Sequence, residues 1–193
     1  MSKFLAPIHF WLYKKIEIQE EIIKTLLEKS GADKETFYKE KGSLPEGSLE
    51  DHIDTGNIHG WLQGQIEESE KRLAKAVSLA KEKGISTEEL EEIFYKGGAG
   101  MERSSSPEEV YQKVNDSCLD GMPCDRVNAL VENSADSIQW ERTSDLHGGF
   151  FEEEGLDREL YYQLRDAYIT GLAGEGLEYS RKDNQYTVRR KNV

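Results

Sequence analysis

Few side chains in this sequence could do chemistry: four histidines, two cysteines and three tryptophans. Cys118 and Cys124 lie six positions apart in Asp116-Ser117-Cys118-Leu119-Asp120-Gly121-Met122-Pro123-Cys124-Asp125, around a glycine and a proline. A cysteine just inside a helix start has its thiolate stabilised by the helix dipole, and Asp120 and Asp125 oppose that by repulsion. The spacing fits two ordinary thiols in a turn. It also fits a reversible disulfide, since a turn of this length brings Cα atoms within about 7 Å. Cys118, Cys124 and His147 together form a candidate redox or metal site, with no evident fourth ligand. A cysteine nucleophile would have His147 as its only base nearby in sequence.

Polar residues also interrupt two long apolar stripes: His9 and Gln19 in the first, His52, His59 and Ser69 in the second. A buried imidazole or amide without a partner costs about 1–3 kcal/mol, so each requires a hydrogen bond, a ligand or solvent. Either they pair across the helices and set register, or they line a pocket with aromatic walls. The candidate ligand-binding residues are His9, Trp11, His59, Trp140 and His147. His147 precedes Gly148-Gly149-Phe150-Phe151, a composition suited to a loop at a pocket mouth. His52 and His59 do not suit one metal ion, since seven helical residues separate their backbones by about 10.5 Å. Glu152-Glu153-Glu154 reads as a solvated acidic face.

Several chemistries lack their signatures. There is no Walker loop, G-x-G-x-x-G, H-E-x-x-H, C-x-x-C or G-x-S-x-G, and no histidine follows a glutamate by three positions as in di-iron bundles. The reaction, if there is one, and any cofactor are left open.

These residues need elements to hold them. Leu5, His9, Leu12, Ile16, Gln19, Ile23 and Leu26 recur at helical spacing over residues 4–30, closed by Gly31. A turn-rich connection over 31–47 follows. A second helix over about 48–83 carries His52, Thr55, His59, Leu62, Ile66, Ser69, Leu73, Ala76 and Ala80. Gly56, Gly60 and Gly64, at four-residue intervals, suggest close approach of another backbone there. An antiparallel pair joined near 31–47 would place Gln19 near His59 and His9 near Ser69.

Capping patterns at Ser86-Thr87-Glu88-Glu89 and Ser106-Pro107-Glu108-Glu109 start two shorter helices. Gly97-Gly98-Ala99-Gly100 between them reads as a flexible break. A helix is expected over 124–133, from Val127, Leu130 and Val131. Ile138, Trp140 and Arg142 alternate as in a half-buried strand, 156–173 returns to helix, and 177–189 reads as a β-hairpin.

The chain of 193 residues carries 25 Lys and Arg against 38 Asp and Glu, a net charge of −13. That sign disfavours nucleic acid as a partner. No apolar run reaches membrane-spanning length. The segment Phe4–Tyr13, broken by Pro7 and His9, is not expected to be a secretory signal, and the helix acids oppose membrane-surface binding through Phe4, Trp11, Lys14 and Lys15. Two cysteines suit a reducing, cytoplasmic setting. The acidity is uneven: residues 101–176 carry 6 basic against 17 acidic side chains, while 177–193 carry 5 against 2. Contact between the basic hairpin and the acidic middle is its simplest use.

The expected fold is α+β and helix-rich, a long antiparallel helical pair with smaller helices and a C-terminal strand–helix–hairpin unit. Its regions are a helical one at 1–100 and an α+β one at 101–193, packing together. The leading functional expectation is a cytoplasmic protein that binds or senses a small molecule in a pocket between the helical pair and the C-terminal unit. The alternatives are an assembly module that dimerises through its long helices and a thiol-based redox or metal protein.

Overall fold

The computed structural model describes residues 5–191; Phe4, included in the first expected helix, lies outside them. The fold is α+β and helix-rich. Helix α1, Pro7–Ser30, begins with a proline whose missing N–H costs nothing at that position. It stops at Gly31, which adopts the left-handed conformation (φ 64°). Helix α2, Lys34–Lys41, is capped by the Asp33 side chain. The short α3, Leu49–His52, is separated from α4, Ile58–Glu82, by residues 53–57, so the expected single helix over 48–83 is two. The Asn57 side chain caps α4 and explains the break. Helices α5 (Thr87–Ala99) and α6 (Pro107–Ser117) start at the expected serine caps. They are followed by a 3-10 turn at Pro123–Asp125, strands β1 (Asn128–Asn133) and β2 (Ser137–Arg142), helices α7 (Gly148–Glu153) and α8 (Arg158–Leu172), and the hairpin β3 (Leu177–Lys182) and β4 (Gln185–Arg190). The four strands form one antiparallel sheet in the order β1-β2-β4-β3.

The long helices run parallel, not antiparallel. The hydrogen bonds linking Gln19 and Glu20 to Ser69, Glu70 and Arg72 join residues 49 to 52 positions apart. The His9 ring meets that of His59, again fifty positions on. In an antiparallel pair, moving forward on one helix means moving backward on the other. A separation that stays near fifty along α1 therefore requires the same direction. The reason lies in the connection. Residues 31–57, with α2 and α3 inside them, carry the chain back along the roughly 36 Å of α1.

Two further expectations change. Residues 124–133 form a turn and strand β1, because pairing with β2 satisfies their backbone and a bulge at Leu130/Glu132 adjusts the register. Gly97, Gly98 and Ala99 are helical, so they are not a flexible break. The close backbone approach expected at Gly56, Gly60 and Gly64 occurs instead where α5 crosses α8. A Cβ on Gly98 would lie 2.1 Å from the Tyr168 carbonyl oxygen, and one on Gly171 2.2 Å from that of Tyr95, whereas one on Gly64 meets nothing.

The core divides into two apolar clusters. The smaller one joins Leu12, Tyr13 and Ile16 of α1 to Ile58, Leu62 and Ile66 of α4, with Leu49, Ile53 and Leu119. The larger one joins Ile23, Leu26 and Leu27 to Leu73, Ala76 and Val77, and runs on through α5, α6, α8 and the sheet, drawing on both sides of residue 100. Between the clusters, on both long helices, lies a layer of buried polar and charged side chains: Gln19, Glu20, Ser69, Glu70 and Arg72.

Candidate functional site

This layer is the start of a continuous buried network. Glu20 Oε1 accepts hydrogen bonds from Arg72 Nε (3.0 Å) and Nη2 (2.9 Å) and from Ser69 Oγ (2.7 Å). Gln19 Nε2 donates to Ser69 Oγ at 3.3 Å and to Glu70 Oε1 at 3.1 Å. Glu70 Oε2 lies 2.9 Å from His147 Nδ1, and His147 Nε2 lies 3.3 Å from Asp120 Oδ1. Arg165 then grips Asp120 with both terminal nitrogens, at 2.6 and 2.8 Å. Asn128 Nδ2 also donates to Asp120 Oδ2, at 2.7 Å. Six elements or their flanks contribute: α1, α4, the segment after α6, the start of β1, the approach to α7, and α8.

Local sequence holds His147 in place. Asp145 Oδ1 accepts from the backbone N–H groups of His147 and Gly148 and from the Tyr162 hydroxyl (3.0, 2.9 and 2.6 Å). Gly148 is required because a Cβ there would fall 2.4 Å from the Arg158 side chain. The imidazole lies flat on the Tyr161 ring at 4.2 Å.

The hydrogen bonds join three carboxylates, Glu20, Glu70 and Asp120, to three cationic side chains, Arg72, His147 and Arg165, and the buried Lys15 lies near enough for the Asp120 charge to act on it, although burial lowers its pKa. Burial alone would lower the histidine's pKa. The Glu70 charge and the hydrogen bonds to Asp120 and Glu70 outweigh that and push it up to about 9. Burial would likewise raise Asp120, but Arg165 and His147 hold it well below the usual carboxylate range. With both ring nitrogens donating, His147 has no lone pair for proton abstraction. The arrangement suits the holding of charge and not general-base catalysis.

The five candidate ligand residues do not converge. His9 and His59 face each other at 5.6 Å between ring centroids, in the outer part of the helical pair. Trp11 Nε1 donates to Asp116 at 2.8 Å, and the Lys15 ammonium sits 4.2 Å from its ring centroid. Trp140 is fully buried in the sheet, stacked on Tyr186 at 5.3 Å. Only His147 belongs to the network. Cys118 is buried and Cys124 exposed, both as free thiols, and burial raises the Cys118 pKa. His147 engages carboxylates rather than either sulfur. Among the described residues no group of three or more His, Cys, Asp and Glu side chains is arranged to hold a metal ion.

Glu20, Glu70, Arg72, Asp120, Tyr161 and Arg165 were not singled out as site residues from the sequence. One signal for the first three was present. The two stripes repeat in phase fifty positions apart (His9/His59, Leu12/Leu62, Ile16/Ile66, Gln19/Ser69), which points to parallel pairing and one shared polar level.

The network reaches the surface twice. Glu70 and His147 line a cleft of about 220 Å³ between α4, the segment 119–125 and the start of α7. Glu20 lines a groove of about 570 Å³ between α1 and the segment from α2 to Gly47. Compared with protein-family models, with curated proteins and with solved structures, the chain matches none of them.

Proposed function

We propose that this is a cytoplasmic small-molecule-binding protein whose ligand sits in the cleft over Glu70 and His147. The observation that carries the reading is the cleft's make-up: two members of the buried network as its floor and apolar walls from Ile66, Leu146 and Phe150. Its polar rim includes Glu67 and Asp125, neither of which forms an ion pair among the described residues. Such a rim calls for a hydrogen-bond donor on the ligand, and the walls call for an apolar body. A space of about 220 Å³, below the roughly 300–1,000 Å³ common for small-molecule sites, suits a compact ligand. The network beneath serves as a rigid floor, since each of its charged groups is already held by a partner. The two separate thiols, one buried and one exposed, support the cytoplasmic part of the reading.

A thermal-shift screen of small metabolites tests this, run beside a Gln63→Trp variant that fills the cleft from α4. Ligands of the cleft raise the melting temperature of the native chain and lose that effect in the variant. If no compound stabilises the protein, or the variant responds equally, the cleft is not the site.

The second reading is an assembly module, favoured by the exposure of Leu130 and Val131 (50% and 57%) on edge strand β1. It ranks below the first because the stripes of α1 and α4, on which helical dimerisation would rely, are buried against each other within the chain. Sedimentation at increasing concentration separates the two: a monomer at every concentration rules out self-assembly.

A further inference from the structure

The motif Ile-His-x-Trp-Leu occurs twice, at residues 8–12 and 58–62, each time in the first two turns of a long helix. Because α1 and α4 run parallel, the two copies lie side by side, and His9 meets His59 at 5.6 Å between ring centroids. The pair stands where the positive ends of both helix dipoles come together. Neither helix has an acidic residue in its first turn to offset them. His9 also closes the start of α1, since its Nδ1 accepts the Ala6 backbone N–H at 3.0 Å. Ala6 occupies the cap position and has no side-chain oxygen. The imidazole thus takes the place that glutamate or glutamine fills in a capping box.

Only a neutral imidazole can hold that bond. With Nδ1 accepting, the ring keeps its one hydrogen on Nε2, whereas an imidazolium carries N–H on both nitrogens and has no lone pair to offer. The same constraint opposes a metal ion shared by the two rings, which would need the Nε2 lone pair. A proton on His9 therefore breaks the Ala6 bond and sets a cation against His59 and two helix N-termini. Burial and then the His59 charge lower the His9 pKa, in keeping with this arrangement. Among the described residues His59, from α4, is the titratable group that acts on it. Asp54, in the segment before α4, is turned to the Gly56 N–H at 2.8 Å. We propose that the His9–His59 contact is an acid-sensitive latch, which holds the first turn of α1 against α4 while His9 is neutral and releases it when His9 takes a proton. The released turn is apolar: Leu5 packs on the smaller core cluster, and Ile8 and Phe10 are already exposed (46% and 39%). The latch is independent of the ligand cleft beside His147.

Nuclear magnetic resonance of the intact chain between pH 8 and pH 5 tests this, through the histidine ring signals and the protection factors of single amides. At pH 8 His9 should be the Nε2–H tautomer, with the Ala6 amide protected from exchange. In the open turn the histidine has its ordinary pKa of 6.5, and in the closed turn a lower one. The latch is therefore at full strength above pH 6.5 and weakens as pH falls below it. At pH 5 the protection of the Ala6 and His9 amides should fall several-fold, with a ceiling of about thirtyfold set by the open-state pKa. Amides of α4 beyond Ile66 should keep theirs. His9→Gln supplies an acceptor at every pH and should make the protection independent of pH over this range. His59→Gln keeps the Ala6 bond and removes the neighbouring charge, so His9 should titrate closer to 6.5 and the acid loss should shrink. A His9 that titrates at or above 6.5 overturns the proposal. So does Ala6 protection that is unchanged at pH 5, or that falls equally in His9→Gln.

Discussion

His147 is the residue that bridges two buried carboxylates, Glu70 and Asp120. The groups facing it are Glu70 from α4, Asp120 from the segment after α6, Tyr161 and Arg165 from α8, and Asp145 at the approach to α7. In the unfolded chain its pKa is near 6.5, and in the fold it is about 9. Its contribution to stability is therefore fully present below pH 6.5 and is lost as pH rises through 9, where two carboxylates are left facing a neutral ring. A shift of this size is worth on the order of 3 kcal/mol. Denaturant midpoints measured from pH 6 to pH 10 should fall across the upper part of that range, and His147→Gln should flatten the fall; a midpoint unchanged up to pH 10 contradicts the assignment. Asp120, depressed by Arg165 and His147, acts at the other end: its contribution is present above its ordinary value and is lost as pH falls into the acid range. His147→Ala removes the cation between Glu70 and Asp120 and should cost about 3–5 kcal/mol in chemical unfolding.

At the scale of elements, glycines separate packing from propensity. Gly98 and Gly171 let α5 and α8 cross at backbone contact, so Gly98→Ala should force the helices apart and cost about 1–3 kcal/mol. Gly64 sits inside α4 with nothing near its missing Cβ, so Gly64→Ala should stabilise by up to about 1 kcal/mol through helix propensity. Thermal unfolding of the two variants should shift in opposite directions, and shifts of the same sign would mean that the crossing is not set by these glycines. The direction of the long helices can be checked chemically. In a chain carrying Cys118→Ala and Cys124→Ser, the pair His9→Cys and His59→Cys should be joined by a short thiol cross-linker, whereas Gln19→Cys with His59→Cys should not. The antiparallel arrangement reverses that result.

Across the whole molecule, the uneven charge is used internally. Arg181 of the hairpin contacts Asp166 at 2.8 Å and also Glu159, both on α8, and Arg190 approaches Asp136 at 3.5 Å. The basic end of the chain thus rests partly on its acidic middle, as the regional charge count implied. Arg181 is mostly buried, and Tyr179 also donates to Asp166 at 2.5 Å. Arg181→Gln should therefore cost about 1–3 kcal/mol, more than an exposed ion pair is worth. Urea denaturation would check this, and a loss below a few tenths of a kcal/mol would place the contact among ordinary surface pairs.

What the sequence determined by itself was local. The stripes at helical spacing, the serine caps at Ser86 and Ser106, the alternation through Ile138 and Trp140, and the hairpin over 177–189 are each written in a few neighbouring residues. Residues 127–131 were misread because Val127, Leu130 and Val131 suit a helix face as well as a strand, and only pairing with β2 chooses between them. The tertiary structure decided the direction of the long helices, since a stripe shows which face is buried but reads the same in either direction. It also decided the candidate site. His147 was singled out from its glycine neighbours, but its partners Glu70 and Asp120 lie 77 and 27 positions away and look in isolation like ordinary surface acids. A carboxylate's sequence neighbours do not reveal whether it will be buried. That follows from which elements close over it, and the path of the chain through residues 31–57 decides which elements those are.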